Sequence, residues 1–264
     1  MQIKNYFQAG TIQIKNNKIG DRSVIYSIKS LKEIIEKVIP HFDNFPLLTK
    51  KKADYLLFKE VVILMSEGKH LTVEGLREII AYKASINKGL NESLKKEFDV
   101  IPVQRPEVSA DVSLINLNWL FGFIEAEATF LCLVRKNPDH LIGFAVILSF
   151  SLPQHSKDKD LILKIQEFLG WGKIYAPPRI RIFLLRGRFG EKDSMVDLRI
   201  TRRSEVISFI DIIKGQLRGV KNLDLNDFIK IQDIINKDLH KTKEGLAEIV
   251  AIKKNMNTGR NVEK

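Results

Sequence analysis

The sequence predicts an α+β (mixed) fold of two tandem αββαββα repeats with antiparallel sheets, the first repeat truncated at its N-terminal αββ. Three observations carry this. The chain repeats itself at a fixed offset; short alternating apolar segments are interleaved with amphipathic ones; and the 264 residues are 44% apolar, enough for a substantial core.

The repeat is clearest between His70–Leu90, HLTVEGLREIIAYKASINKGL, and His240–Arg260, HKTKEGLAEIVAIKKNMNTGR, where eleven of twenty-one residues are identical without a gap. Each copy is expected to be a helix closed by a glycine, Gly89 or Gly259. Upstream, QIKNYF (Gln2–Phe7) parallels KIQEFL (Lys164–Leu169), a helix end before a glycine and a strand. Val24–Ile39 parallels Val196–Ile213, a strand running into an amphipathic helix, and Leu48–Phe58 parallels Val220–Lys230. Two long copies imply a pseudo-twofold molecule.

Ahead of its QIKNYF equivalent the second copy has about fifty residues, Leu114–Leu163, that have no counterpart in the first. They predict a helix over 116–127, a strand over 129–136 and a strand over 142–152, the last from the alternation of Phe144, Val146, Leu148, Phe150 and Leu152. The intended domains are therefore a truncated first repeat over 1–90, a linker over 91–113 that is charged and holds Pro102 and Pro106, and a complete second repeat over 114–264.

The composition narrows the function. Cys132 is the only cysteine, which excludes a disulfide scaffold. No apolar run approaches the roughly 18 residues of a membrane span, and the N-terminus has the form of neither a secretory signal nor a transit peptide. A soluble protein of a reducing compartment is expected, with no membrane partner. Its net charge of +11 points to a polyanion. Nine basic residues against three acids fall between Lys173 and Arg203. Arg179 and Arg181 interleave with Ile180 and Ile182, and Arg199 lies between Leu198 and Ile200, as in a half-buried strand with one basic face. Such a face suits a DNA groove and equally a solvated sheet.

Residues 120–128 read LFGFIEAEA, within WLFGFIEAEATF. This segment resembles the LAGLIDADG motif of homing endonucleases, and the flanking segments resemble the single-chain, two-repeat members of fungal mitochondrial introns. The resemblance covers nearly the whole chain. It implies two motif helices packed side by side, acids at their ends holding Mg²⁺ or another divalent cation between two DNA strands, and DNA-binding antiparallel sheets. The residues fit it independently. Gly122 and Ala126 are four apart and share a helix face, with Leu120 and Ile124 expected beside them as an apolar interface stripe. Glu127 falls in the last turn, where the helix dipole disfavours a carboxylate unless a cation compensates; it is the expected metal ligand and catalytic acid. Glu125 is expected to be a surface or capping acid. Ala128 replaces the motif's terminal glycine, a tolerable change at negative φ. This chain supplies no first motif helix and so no second acid.

By the same resemblance, Gln154 sits near the active-site solvent, and Lys51 and Lys221 occupy the repeat-related positions of basic residues near the scissile phosphates. The DNA contacts expected are Gln13, Lys15, Lys18, Arg22 and Lys29 in the first repeat and Arg135, Lys136, Arg179, Arg181, Arg186, Arg188, Arg199 and Arg203 in the second. The leading reading is a metal-dependent endonuclease for a long specific duplex DNA site. Its alternative is a binding protein of the same fold, a non-cleaving remnant or an intron RNA maturase. A monomer is expected if a segment upstream supplies the missing helix, and otherwise a partner chain. The resemblance places the protein in the mitochondrion.

Overall fold

The computed structural model describes residues 2–16, 22–176 and 195–260. They form two compact units, Met1–Ala110 and Asp111–Lys264.

Unit 1 opens with α1 (Gln2–Phe7), the antiparallel pair β1 (Thr11–Asn16) and β2 (Arg22–Ser27), and α2 (Leu31–Glu33), which passes through a wider helical turn at Ile34–Val38 into α3 (Ile39–Asn44). The helices α4 (Lys51–Ser66), α5 (Val73–Ser85) and α6 (Glu92–Glu97) follow. Gly10, at φ +72°, turns α1 into β1, and a Cβ there would lie 2.5 Å from the Ser27 carbonyl oxygen. The helix is pinned to the strand pair by Phe7 stacking on Tyr26, whose hydroxyl donates to the Ala9 carbonyl.

Unit 2 carries the full repeat. Helix α7 (Leu117–Glu127) starts at Asn116, whose side chain accepts from the Trp119 amide. Then come β3 (Thr129–Lys136), β4 (Phe144–His155), α8 (Lys159–Leu169), β5 (Lys173–Tyr175), β6 (Met195–Ile200), α9 (Arg203–Ile213), α10 (Val220–Asn236) and α11 (Lys243–Lys254). The strands form one antiparallel sheet in the order β3-β4-β6-β5. One face buries Phe130, Phe150 and Leu198 with Phe209 of α9 and Phe228 of α10, in ring contacts of 4.4 to 5.7 Å. Each such side chain contributes roughly 1.5–3 kcal/mol by leaving water. Cys132 belongs to this core, where burial pushes its thiol up to about 11, so it is an inert filler.

The repeat is built from matching local devices. Thr72 and Thr242 each cap a helix by accepting from the amide of Gly75 or Gly245, at 3.1 Å in both. A Cβ on either glycine would lie 2.1 Å from a carbonyl oxygen of the preceding turn, which accounts for the repeated glycine. The closing residues differ from expectation. Helices α5 and α11 end at Ser85 and Lys254, and the first left-handed residues beyond them are Asn87 and Asn257, both at φ +54°; Gly89, also left-handed at φ +76°, follows two residues later and is not the helix stop. Their amides donate to Asp54 and Asp224, at 2.9 Å in each repeat, so a buried carboxylate ties down the turn.

Most of the charged segment read as a linker packs on unit 1. The Val103 amide donates to the Ala81 carbonyl, the Ser85 hydroxyl to the Val103 carbonyl, and Arg105 to Asp54 at 2.5 Å. No described helix is long and apolar enough to cross a membrane.

Candidate nucleic-acid interface and metal-binding acid

Helix α7 fixes the two acids of the motif. Leu120 and Ile124 are buried in the core of their own unit, while Gly122, Ala126 and Glu127 are exposed. The expected interface stripe is thus split. Residues two apart lie about 200° around a helix, so Leu120 and Ile124 face the sheet and only Gly122 and Ala126 face outward. Among the described residues nothing comes within 4 Å of a Cβ placed on Gly122. Ala128 has φ −80° and a buried methyl, so alanine fits where the motif has glycine.

Glu125 caps the start of α10. Its carboxylate accepts from the Arg218 amide at 2.9 Å and from the Gly219 amide, the residue just before the helix, which has no side-chain cap of its own. Ionised acceptors at a helix N-terminus make strong contacts of this kind. A Cβ at Gly219 would sit 2.5 Å from the carboxylate oxygen, so the cap requires glycine for space. This single contact lies two residues from Glu127 on one side and two from Lys221 on the other, joining the two candidate catalytic segments.

Glu127 ends α7 with an exposed carboxylate that has no ion-pair or hydrogen-bond partner among the described residues. Among those residues no cluster of three His, Cys, Asp or Glu surrounds it or lies elsewhere. One carboxylate fits a hydrated Mg²⁺, which keeps several waters and takes the rest of its shell from phosphate oxygens, and does not fit an all-protein cage.

The other candidates divide. Lys221 stands in the first turn of α10, half-buried and without a partner among the described residues. Its repeat mate Lys51 donates to Asp54 at 3.0 Å and to the Asn87 side-chain oxygen, so that ammonium is engaged in holding a turn. Burial opposes ionisation of Asp54, yet Arg105, the Asn87 amide and Lys51 together hold its carboxyl far below the usual range. Gln154 lies inside β4, opposite Val196, because the strand runs on to His155. Its register puts it on the face of Leu152, the core side, rather than beyond the strand end.

The outer face of the unit 2 sheet is set by register. Thr129, Leu131, Leu133 and Arg135 of β3, Ser149 and Ser151 of β4, Asp197 and Arg199 of β6, and Lys173 and Tyr175 of β5 share it. Arg135 and Arg199 are exposed there. Lys136, next to Arg135, projects to the opposite face. Arg203 follows the strand's end and belongs to α9, where it donates to the Ile235 carbonyl and the Asn236 side chain at 3.2 Å each, fastening helices rather than facing outward with the sheet. In unit 1, Gln13 and Lys15 are exposed on one face of β1, Arg22 opens β2 opposite Asn16, and Lys29 is exposed in the loop after β2. Lys18, Arg179, Arg181, Arg186 and Arg188 lie outside the described residues.

Ser151, Asp197 and Tyr175 were not singled out from sequence. The signal was present: in MVDLRI, Asp197 has the same parity as Arg199, and Ser149 and Ser151 alternate with Leu148, Phe150 and Leu152.

Comparison with known proteins completes the site. A family model described as LAGLIDADG endonuclease matches residues 1–62 and 120–232. A probable intron-encoded endonuclease 3 of Neurospora crassa is 35% identical over 91% of this chain and 42% of its own length. A probable intron-encoded endonuclease 2 of the same organism is 30% identical over 96% of this chain and 54% of its own. The chain thus spans about half the length of these relatives. The structure of the I-SmaMI LAGLIDADG homing endonuclease bound to cleaved DNA superposes with a TM-score of 0.88 at 33% identity, over 98% of this chain and 82% of that one. That of the I-LtrWI LAGLIDADG homing endonuclease bound to target DNA gives 0.85 at 34%, over 98% and 82%. I-SmaMI has also been seen on uncleaved DNA in the presence of calcium ions. This chain belongs to the LAGLIDADG endonuclease family.

Proposed function

We propose that this chain binds a long specific site in duplex DNA and hydrolyses phosphodiester bonds in it with the help of Mg²⁺ or another divalent cation. The observation that carries the proposal is Glu127, an exposed, unpartnered carboxylate closing the motif helix in the same unit as a sheet with Arg135, Lys173 and Arg199 on its outer face.

Glu127 would hold the metal, whose chemistry when bound is to activate water and neutralise charge at the leaving oxygen. Lys221, fixed by the Glu125 cap at the positive end of α10, supplies a cation for the developing charge on phosphate. The exposed basic residues anchor the backbone and make binding steeply salt-dependent. Lys51 serves mainly as the counter-ion of Asp54, and Gln154 is left to pack at the sheet end. The relatives' intron-encoded nature supports a mitochondrial setting.

A second reading has one specific observation in its favour. Among the described residues no group of three His, Cys, Asp or Glu gathers around Glu127, which suits a partner chain, a longer natural protein, or a binder of duplex DNA or intron RNA that does not cut. Incubating the chain with a randomised duplex library and Mg²⁺ and sequencing the ends separates these: recurrent ends support hydrolysis, and enrichment of intact sites supports binding alone.

A further inference from the structure

Among the described residues, Arg199 is the best-organised cation on the outer face of the unit 2 sheet. It sits on β6 opposite Ser151 of β4 and Lys173 of β5. Its Nε donates to Asp197 Oδ2 at 2.5 Å, and the other oxygen of Asp197 accepts from the Ser151 hydroxyl at 2.8 Å. The guanidinium carbon lies 5.1 Å from the centre of the Tyr175 ring. Asp197 is only 7% exposed, whereas the Arg199 side chain is 47% exposed. The acid is thus a fixed support and the arginine a held but accessible head, with Nε occupied and both terminal nitrogens unpartnered among the described residues.

The arrangement selects what the arginine can meet. A phosphate at this spot would bring a second anion against Asp197, whereas a base edge is neutral. Guanine is the base that presents two acceptors, O6 and N7, to the major groove, matching the two terminal nitrogens of a guanidinium fork; adenine would set its own donor against one of them. Resting on the duplex-DNA reading above, we propose that Arg199, oriented by Asp197, Ser151 and Tyr175, reads one guanine of the target. Asp197 acts through Arg199 and is a positioning residue; Lys173, exposed and without such support, faces the backbone.

The test is selection of bound duplexes from a randomised library by the full chain in Ca²⁺, followed by affinities for every base at each selected position. One guanine is expected whose replacement costs about ten- to a hundredfold in affinity. Arg199→Ala and Asp197→Ala should both flatten the preference at that position and no other. Asp197→Ala should also raise affinity for unrelated duplex, since it removes a negative charge from the face, a gain that simple loss of structure would not give. Ser151→Ala, which leaves the acid in place, should show a partial loss at the same guanine. Uniform weakening by Arg199→Ala across all sequences would mean a phosphate contact and overturn the assignment, as would an unchanged preference in Asp197→Ala. Failure of the unmodified chain to enrich any sequence would overturn the DNA-recognition reading itself, and this assignment with it.

Discussion

Replacing Arg260 by alanine should destabilise unit 2 by about 3 kcal/mol. Arg260 donates through Nε and Nη2 to Asp224 at 3.1 and 2.9 Å and through Nη2 to Asp227 at 2.6 Å. Its side chain is 15% exposed, and those of the two acids are 4% and 12%. Without it, Asp224 keeps the Asn257 amide and Asp227 keeps Lys230, whose side chain is mostly in solvent. Breaking a buried ion pair costs roughly 3–5 kcal/mol because a charge is left uncompensated, and the surviving partners set this case at the lower end. Both tryptophans, Trp119 and Trp171, lie in unit 2, so urea unfolding followed by tryptophan fluorescence reports the right transition. With a urea slope of about 2 kcal/mol per molar, the midpoint should fall by about 1–2 M. Arg105→Ala provides the comparison in unit 1, followed by circular dichroism because that unit has no tryptophan. That arginine is 41% exposed and leaves Asp54 with both Lys51 and Asn87, so its removal should cost unit 1 only about 1 kcal/mol. An Arg260→Ala midpoint within a few tenths of a molar of wild type would refute the reasoning, by showing that the two acids are solvated enough to stand alone.

Three further outcomes are expected. Glu125→Ala should cost about 1–2 kcal/mol as a lost helix cap, and Gly219→Ala should cost at least as much by displacing the carboxylate; since the clash disappears with its partner, the double variant should be no worse than Gly219→Ala, and additive losses in unfolding measurements would contradict the contact. Ionised Asp54 has a folded pKa below its unfolded value, so its stabilisation is complete above about pH 4 and is lost as pH falls further. The stability gap between wild type and Asp54→Asn, measured in urea at stepped pH, should therefore shrink below about pH 4; a constant gap would count against the network. Finally, duplex affinity should fall log-linearly with salt, and Arg135→Ala should lower that slope by about one ion; a flat salt response would argue against a phosphate-contacting face.

Much of the fold is written in local patterns. The offset repeat announces the paired helices because each copy needs its threonine cap and its clash-free glycine, and the alternation in Phe144–Leu152 announces β4 because one of its faces is core. The motif placed Glu127 correctly at the end of α7, and Glu125 is the capping acid its position implied. What escaped reading depends on angle and on distant partners. Leu120 and Gly122 are neighbours in sequence yet opposite around the helix. Gln154 and Arg203 were displaced from their expected settings by where β4 and β6 stop. Lys51 looked like a free cation until Asp54 and the Asn87 turn came to it from elsewhere in the chain. Arg105 and Arg260 close equivalent carboxylates from positions the repeat does not relate, so periodicity could not find them.

The most direct measurement is cleavage by Glu127→Gln beside the unmodified chain, on a duplex recovered by selection, in Mg²⁺ and in Ca²⁺. Glutamine preserves size and removes the charge that would hold the cation. The account predicts that the unmodified chain cuts in Mg²⁺, that Glu127→Gln loses cutting by at least about a hundredfold, and that both bind the duplex in Ca²⁺ with similar affinity. Cutting by Glu127→Gln at the wild-type rate would contradict the assignment of Glu127 as the metal-holding acid.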